Sequence, residues 1–455
     1  MPSQCARPGA ASHLPHELNV PGAANAGDES PWFHIVEAPR PLAFLVEESR
    51  LFEIDAAFRR ELRAGDPDAL AELGALRARF MPIADVPLST PRSLSLNVVQ
   101  ACNLACHYCY ADEGRFHGRA LRMNDDVAFA AIERLIGEAD DRRVTIGFIG
   151  GEPFLNRELV HKCVAFARVR ARALKVPIGF SVTTNATLLR DEDLALLRDN
   201  QFAVSVSLDG GAEIHDRHRP QRDGAGSFAT AVAAIAPLLA NPGRARVVAR
   251  VTVTRDDLRV AERMAPLIDA GFLEVGVSAA RTGPSEQLLF RAEDWRSFLD
   301  QMIRAARIEL DALRRRSGGT LRFSNLAIAL KEIHRGAARH LPCGAAQSYV
   351  SVSADGGYYT CHRTVGQRAF ALGDMETGLS DPTRRSFLEE RQVDRQEPCR
   401  SCWARYLCGG GCHAEVAARG RDGCDFIRGW LEFCLVAYNE TRDDFPSLFA
   451  PGASS

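Results

Sequence analysis

The sequence predicts an α/β protein built on a run of strand–helix units and followed by a cysteine-rich segment. Three observations lead there. Six short apolar runs alternate with helical patterns between residues 91 and 290, the order that makes βαβ crossovers and a parallel sheet. The chain has 455 residues, or roughly three domains at about 150 residues each. Eight of its 13 cysteines lie beyond Leu341, where long periodic segments stop.

Residues 1–30, rich in Ala, Pro, Gly, Ser and Asn, read as a disordered lead-in. They carry no basic and apolar signal pattern. Residues 31–90 read as a small α+β unit. Phe33 to Val36, Leu42 to Val46 and Leu51 to Ile54 suit strands, and Asp66-Pro67 opens a helix with Leu70, Leu73 and Leu76 at spacing three, the unit ending near Pro87. Within 91–290, the strands are expected at Leu94–Val99, Val144–Ile149, Ile178–Thr183, Ala203–Leu208, Arg246–Val253 and Leu273–Ser278. The helices between them are expected at Asp125–Ala139, Arg157–Leu174, Asp191–Leu197, Ser227–Leu239 and Asp257–Ala270, with Asp191 and Ser227 as N-caps. Six strands make a sheet that is either open or curled into part of a barrel. Residues 291–340 hold linking helices, including an amphipathic one over Ala292–Arg316. Residues 341–445 form the cysteine-rich domain and 446–455 a tail.

Composition excludes several classes. Fifty-six basic and 58 acidic residues leave a formal charge of -2, which gives no case for nucleic acid or an anionic membrane as partner. No apolar run approaches the length of a membrane span. An odd count of 13 thiols rules out a fully paired disulfide set, and clustered cysteines in a cytoplasmic chain point to metal or redox chemistry.

The first cluster is Cys102-x3-Cys106-x2-Cys109, on the loop after the first strand. Open α/β folds place their sites at that end of the sheet. Three thiolates on a short loop can share one centre and leave an iron with an open position. Read from the residues alone, a zinc site with His107 as fourth ligand remains an alternative. In the second cluster, Cys343 and Cys361 precede Cys399-x2-Cys402-x5-Cys408-x3-Cys412, followed by Cys424 and Cys434. Gly409-Gly410-Gly411 within it permits close backbone approach and positive φ. A zinc-ribbon-like binding module is the corresponding non-enzymatic alternative.

The triplet, with Tyr108 before its last cysteine, resembles the signature of radical S-adenosylmethionine (radical SAM) enzymes. Gly150-Gly151-Glu152-Pro153 resembles that family's GGEP motif. Ser181 to Asn185, and Ser205-Val-Ser207-Leu-Asp209-Gly210, resemble its third- and fourth-strand motifs. The resemblance covers about residues 90–280 and implies a partial (β/α)6 TIM-like barrel. It implies a [4Fe-4S] cluster on Cys102, Cys106 and Cys109, and S-adenosylmethionine held by Tyr108, Gly150, Gly151, Glu152, Ser181, Asn185, Ser207 and Asp209. Reductive cleavage would then yield a 5′-deoxyadenosyl radical.

The second cluster resembles the seven-cysteine SPASM domain, which carries auxiliary iron–sulfur clusters in peptide-modifying radical enzymes. That implies one auxiliary cluster on Cys343, Cys361 and Cys412 and another on Cys399, Cys402, Cys408 and a last cysteine, for which Cys424 is favoured over Cys434. Cys5 and Cys163 are expected to be bystanders. Arg281, Asp355 and His362 are the candidate catalytic groups, His362 standing where sulfatase-maturing relatives carry Asp. The implied activity is a maturase installing a C–S or C–C cross-link in a ribosomally made peptide or small protein, near the quinohemoprotein amine dehydrogenase maturation type. A sulfatase-maturing, formylglycine-forming enzyme is the alternative. Implied partners are the peptide or small-protein substrate and a flavodoxin- or ferredoxin-like electron donor; the 31–90 unit suits either a leader-peptide recognition module or a structural cap on the barrel.

Overall fold

The computed structural model describes residues 31–77, 88–116 and 118–450. The lead-in with Cys5, the end of the N-terminal unit near Pro87 and the last residues of the tail lie outside them.

The N-terminal unit is an antiparallel sheet of β1 (Phe33–Val36), β2 (Leu42–Leu45) and β3 (Arg50–Glu53), followed by α1 (Ala56–Ala64) and α2 (Pro67–Ala75). The Asp66 side chain caps α2 by accepting from the Asp68 and Ala69 N–H groups. Helix α1, which the spacing did not suggest, is capped by Asp55 and buries only Leu62. Ala43, Leu45, Leu62, Ala69 and Leu73 form its own small core.

The central region runs β4 (Ser93–Val99), α3 (Asp125–Gly137), β5 (Val144–Gly150), α4 (Arg157–Leu174), β6 (Ile178–Thr184), α5 (Asp191–Asp199) and β7 (Phe202–Ser207). It continues through α6 (Ala212–His218), α7 (Phe228–Ala240), β8 (Arg246–Val253), α8 (Val260–Asp269) and β9 (Val275–Ala279). Strands β4 to β9 are all parallel and in sequence order. Two expected caps work differently. Asp191 is the first residue of α5, and Asp193 instead reaches back to the Arg190 N–H at 3.0 Å. Ser227 stands at the start of α7, but its hydroxyl donates to the Arg219 carbonyl at 2.6 Å.

Register makes the two faces of this sheet unlike. Leu96, Phe148, Val182, Val204 and Val251 lie on the face packed into the core. The other face carries Ser95, Gly147, Ser181 and Ala203 in one row and Ser207, Arg250 and Gly276 in another. The helices therefore cover an apolar outer face while the concave inner face is polar, so the barrel keeps an open lumen instead of the packed interior of a filled barrel.

Helices α9 (Asp294–Arg315) and α10 (Ser324–His334) lead to β10 (Tyr349–Val352), β11 (Gly357–Tyr359), β12 (Ala371–Asp374) and β13 (Gly378–Leu379). Then come α11 (Asp381–Arg391), α12 (Arg405–Cys408), α13 (His413–Arg419) and α14 (Cys424–Thr441). Strand β10 pairs in parallel with β4, so the cysteine-rich segment extends the barrel sheet to ten strands. At the other edge, Phe323 bridges to Val275 and Asn325 pairs with the Val277 backbone, covering β9 without closing the barrel. Among the described residues no helix is long and apolar enough to cross a membrane.

Candidate active site

The loop after β4 brings Cys102, Cys106 and Cys109 to the carboxyl end of the sheet. Backbone bonds from Ala105 N to Pro220 O and from His107 N to His218 O pin it to the segment after β7. The GGEP turn packs directly beneath it. A Cβ at Gly151 would lie 2.0 Å from the Ala101 carbonyl oxygen, so only glycine fits. The three thiols lie within electrostatic reach of one another. Burial pushes Cys102 up to about 12 and Cys106 up to about 11, so both are protonated until a metal takes the proton's place. N–H donors already face the sulfurs: Asn185 Nδ2 is 3.8 Å from Cys102 Sγ and Arg219 Nη1 is 3.9 Å from Cys106 Sγ.

Glu152 is fully buried. Its Oε1 accepts from Thr184 Oγ1 at 2.7 Å and Phe154 N at 3.2 Å, and its Oε2 from Asn185 N at 2.8 Å. Burial outweighs these bonds and raises its carboxyl to about 7. Asp209 is equally buried. Burial works to raise its carboxyl, but Arg219 (2.9 Å), the Tyr108 hydroxyl and the Thr252 N–H (2.9 Å) hold it below the usual range. Arg219 also sits over the Tyr108 ring. Tyr108 and Asp209 are thus one network joined to the thiol loop. Ser181 and Ser207 lie half-buried on the inner face, and Gly150 lies against the Val99 carbonyl.

The C-terminal thiols form two groups. Cys343, Cys361 and Cys412 are electrostatic neighbours. Cys399, Cys402, Cys408 and Cys424 are another such set. The second set, with Gly410 and Gly411, lines a cavity of about 190 Å³ facing β9. Cys424 begins α14, whereas Cys434 is wholly buried on the same helix with no thiol beside it. Cys163 is likewise buried, on α4. Among the described residues, no three His, Cys, Asp or Glu side chains converge closely enough to hold a single metal ion.

The three expected catalytic groups separate. His362 Nδ1 meets the Tyr349 hydroxyl at 2.9 Å, which meets Ser95 Oγ on the inner face at 2.7 Å. Burial, helped by the Arg363 charge, lowers His362 to about 4 and leaves it neutral. Asp355 is exposed in the turn between β10 and β11, bonded to Ser353 Oγ. Arg281 pairs with Glu415 and Asp422 and lies over Trp295, which ties β9 to α13. Sequence reasoning singled out neither Arg219 nor Thr184. The first lies in the string Asp216-Arg217-His218-Arg219, shortly after the Ser207–Asp209 motif; the second sits one residue before Asn185.

Residues 96–241 match the family model of the Radical SAM superfamily. The match spans the barrel from β4 to α7. A serine-type anaerobic sulfatase-maturating enzyme of Klebsiella aerogenes is 25% identical over 368 residues, covering 78% of this chain and 87% of that protein. A cysteine-type enzyme of Clostridium novyi is 29% identical over 145 residues, 30% of this chain and 38% of that one. Native anSMEcpe with bound AdoMet superposes at a TM-score of 0.66 with 20% identity, over 78% of this chain and all of that one (100%). Streptococcus suis SuiB bound to its precursor peptide SuiA gives 0.51 with 13% identity, over 86% and 96%. These structures show the shared fold.

The chain is therefore an enzyme, similar to radical SAM enzymes over this region, with S-adenosylmethionine and [4Fe-4S] clusters as cofactors. Its residues fit those cofactors: buried thiols with N–H donors in place, a glycine cradle that a Cβ would fill, and a buried carboxylate with lone pairs left for an ammonium group.

Proposed function

We propose that this enzyme is a radical SAM peptide or protein maturase that oxidises one side chain of its substrate by two electrons. The observation that carries this reading is a barrel whose thiol loop stands at one end of a polar lumen while two more thiol groups pack on the same sheet. Cys102, Cys106 and Cys109 would hold the active cluster, and Glu152, Ser207, Asp209 and Tyr108 would orient S-adenosylmethionine. Bound there, these groups supply abstraction of a hydrogen atom from an unactivated C–H bond. Cys343, Cys361 and Cys412, and separately Cys399, Cys402, Cys408 and Cys424, would hold auxiliary clusters.

Two-electron oxidation of a Ser or Cys side chain removes a hydrogen atom, a proton and an electron. His362, reached from the inner face through Tyr349 and Ser95, is the group placed to take the proton. Asp355 and Arg281 are placed less well, one in an exposed turn and the other paired to Glu415 and Asp422. The lumen positions the peptide and keeps bulk water from the reacting carbon. Free thiols throughout the described residues suit a cytoplasmic enzyme supplied by a flavodoxin- or ferredoxin-like donor. The sheet β1–β2–β3 offers open edges on which a leader peptide would add as a strand.

Similarity to the Klebsiella sulfatase-maturating enzyme over 78% of the chain favours the sulfatase-maturing reading, whose product would be formylglycine. A second reading, a C–S or C–C cross-link of the quinohemoprotein amine dehydrogenase maturation type, is favoured by His362 standing where sulfatase-maturing relatives carry Asp. Tandem mass spectrometry of Ser- and Cys-containing peptides after anaerobic turnover separates them. An aldehyde that reacts with a hydrazine probe supports formylglycine; a two-hydrogen loss bridging two residues supports the cross-link. No modified peptide and no 5′-deoxyadenosine overturns both.

A further inference from the structure

Several arginines around the site have a carboxylate partner. Arg219 faces Asp209, Arg246 faces Glu274, Arg363 faces Glu415, and Arg281 faces Glu415 and Asp422. The buried Arg263 donates instead to the Asp209 and Asp257 carbonyls, whereas Arg250 has neither. It lies on the lumen face of β8, in register with Ser207 on β7 and Gly276 on β9. Among the described residues it makes no ion pair, and its one side-chain contact is Nη1 to Ser324 Oγ at 3.4 Å. The nearest acid by charge is Glu274, already engaged by Arg246.

The guanidinium nonetheless has a seat. A Cβ at position 276 would stand 2.0 Å from Arg250 Nη1 and 2.8 Å from Ser324 Oγ. Glycine at 276 therefore opens a notch that this side chain fills. By register, Ser205, Ser207, Thr252 and Ser278 lie on the same face of the sheet. Arg250 is exposed to solvent on this face, so its unpaired guanidinium is open to an incoming anion. The planar donor fork suits a carboxylate. The cysteine loop follows β4, and β8 and β9 are the strands farthest from β4 along this parallel sheet. The anion accordingly belongs to the substrate end of the lumen.

We propose that Arg250, seated over Gly276, binds a carboxylate of the peptide substrate and makes the enzyme prefer an acidic sequence beside the modified residue. This rests on the peptide reading above. The test uses anaerobically prepared, cluster-loaded enzyme and fluorescein-labelled Ser- or Cys-centred peptides, with Asp or Glu at each neighbouring position. Each peptide is paired with its Asn or Gln twin, and each is made with free and amidated C-termini. Anisotropy titrations are expected to show at least one acidic peptide binding about tenfold or more tighter than its amide twin. R250Q and, independently, G276A should erase that preference. R250K should keep part of it, and R250E should favour a Lys twin. Titration calorimetry should show S-adenosylmethionine binding unchanged in R250Q.

Equal binding of acidic and amide twins by the wild type, or a preference that survives R250Q, overturns the assignment alone. Loss of S-adenosylmethionine binding in R250Q with peptide preference intact assigns the carboxylate to the cofactor and also overturns it. A preference that vanishes only on amidating the terminus moves the contact to the C-terminal carboxylate and overturns the sequence preference. Failure of every peptide to bind, acidic or neutral, overturns the peptide reading itself.

Discussion

Eight consecutive residues, Cys102 to Cys109, carry all the thiols of the barrel loop, whereas the C-terminal thiols are gathered from segments spanning Cys343 to Cys424. In the barrel, one strand end, one loop and the GGEP turn fix the site by backbone contact. In the C-terminal region, β10, the turn after β11, the Gly-rich loop and the first residue of α14 must all be docked first. A local site is held by sequence-adjacent backbone; an assembled one is only as good as the tertiary packing behind it. The two therefore should fail differently.

The largest contrast is in the thiols themselves. Alanine at Cys102, Cys106 or Cys109 is expected to abolish reductive cleavage of S-adenosylmethionine. Alanine at Cys361 or Cys408 should leave cleavage measurable and abolish peptide product, as read by 5′-deoxyadenosine and mass spectrometry. Equal loss in both sets would erase the distinction.

Buried charge comes next. Asp209→Asn leaves Arg219 without its counterion inside the barrel and should cost about 3–5 kcal/mol in denaturant unfolding. The paired Arg281→Gln at the barrel–C-terminal contact, with partly exposed partners, should cost less than half of that.

Two groups, one in the barrel and one where β1 meets the C-terminal region, respond to pH with opposite sign. Glu152 has a carboxyl raised to about 7, so its contribution is present below about 4.5 and is lost as pH rises through 7. His34 stacks on Trp403 and is lowered by burial to about 4, so it stays neutral in the fold. Its contribution is full above about 6.5 and is lost as pH falls toward 4. Each is worth about 3 kcal/mol at most. Unfolding of Glu152→Gln and His34→Phe across pH 4 to 8 should flatten the alkaline and acid limbs respectively.

The smallest effects are single methyl groups. Gly151→Ala meets the Ala101 backbone and should lower stability by about 1–3 kcal/mol. Gly410→Ala meets only the Gln396 side chain, at a φ of 91°, and should cost about 1 kcal/mol, visible as a smaller fall in Tm.

The same contrast explains what the sequence made legible. Helix α4 spans Arg157–Leu174 as its periodicity suggests, and β8 spans Arg246–Val253, because both signals are local. Helix α1 escaped notice because it buries a single side chain, Leu62. The pairing of β10 with β4 joins residues some 250 positions apart and leaves no local trace. The choice between Cys424 and Cys434 depends on how α14 docks: its first residue faces Cys399, Cys402 and Cys408, while Cys434 enters the apolar core. Strand alternation puts Arg250 on the inner face, but only the register with Gly276 shows it lacks a carboxylate.

The most direct test of the two-region account is iron and sulfide content after anaerobic reconstitution. The wild type and Cys434→Ala should each hold about 12 iron atoms per chain, as three four-iron clusters. Replacing Cys102, Cys106 and Cys109 together should leave about eight, and so should Cys399→Ala combined with Cys424→Ala. A wild type that saturates near four iron atoms, or a Cys434→Ala variant that loses a cluster while Cys424→Ala does not, would contradict the account.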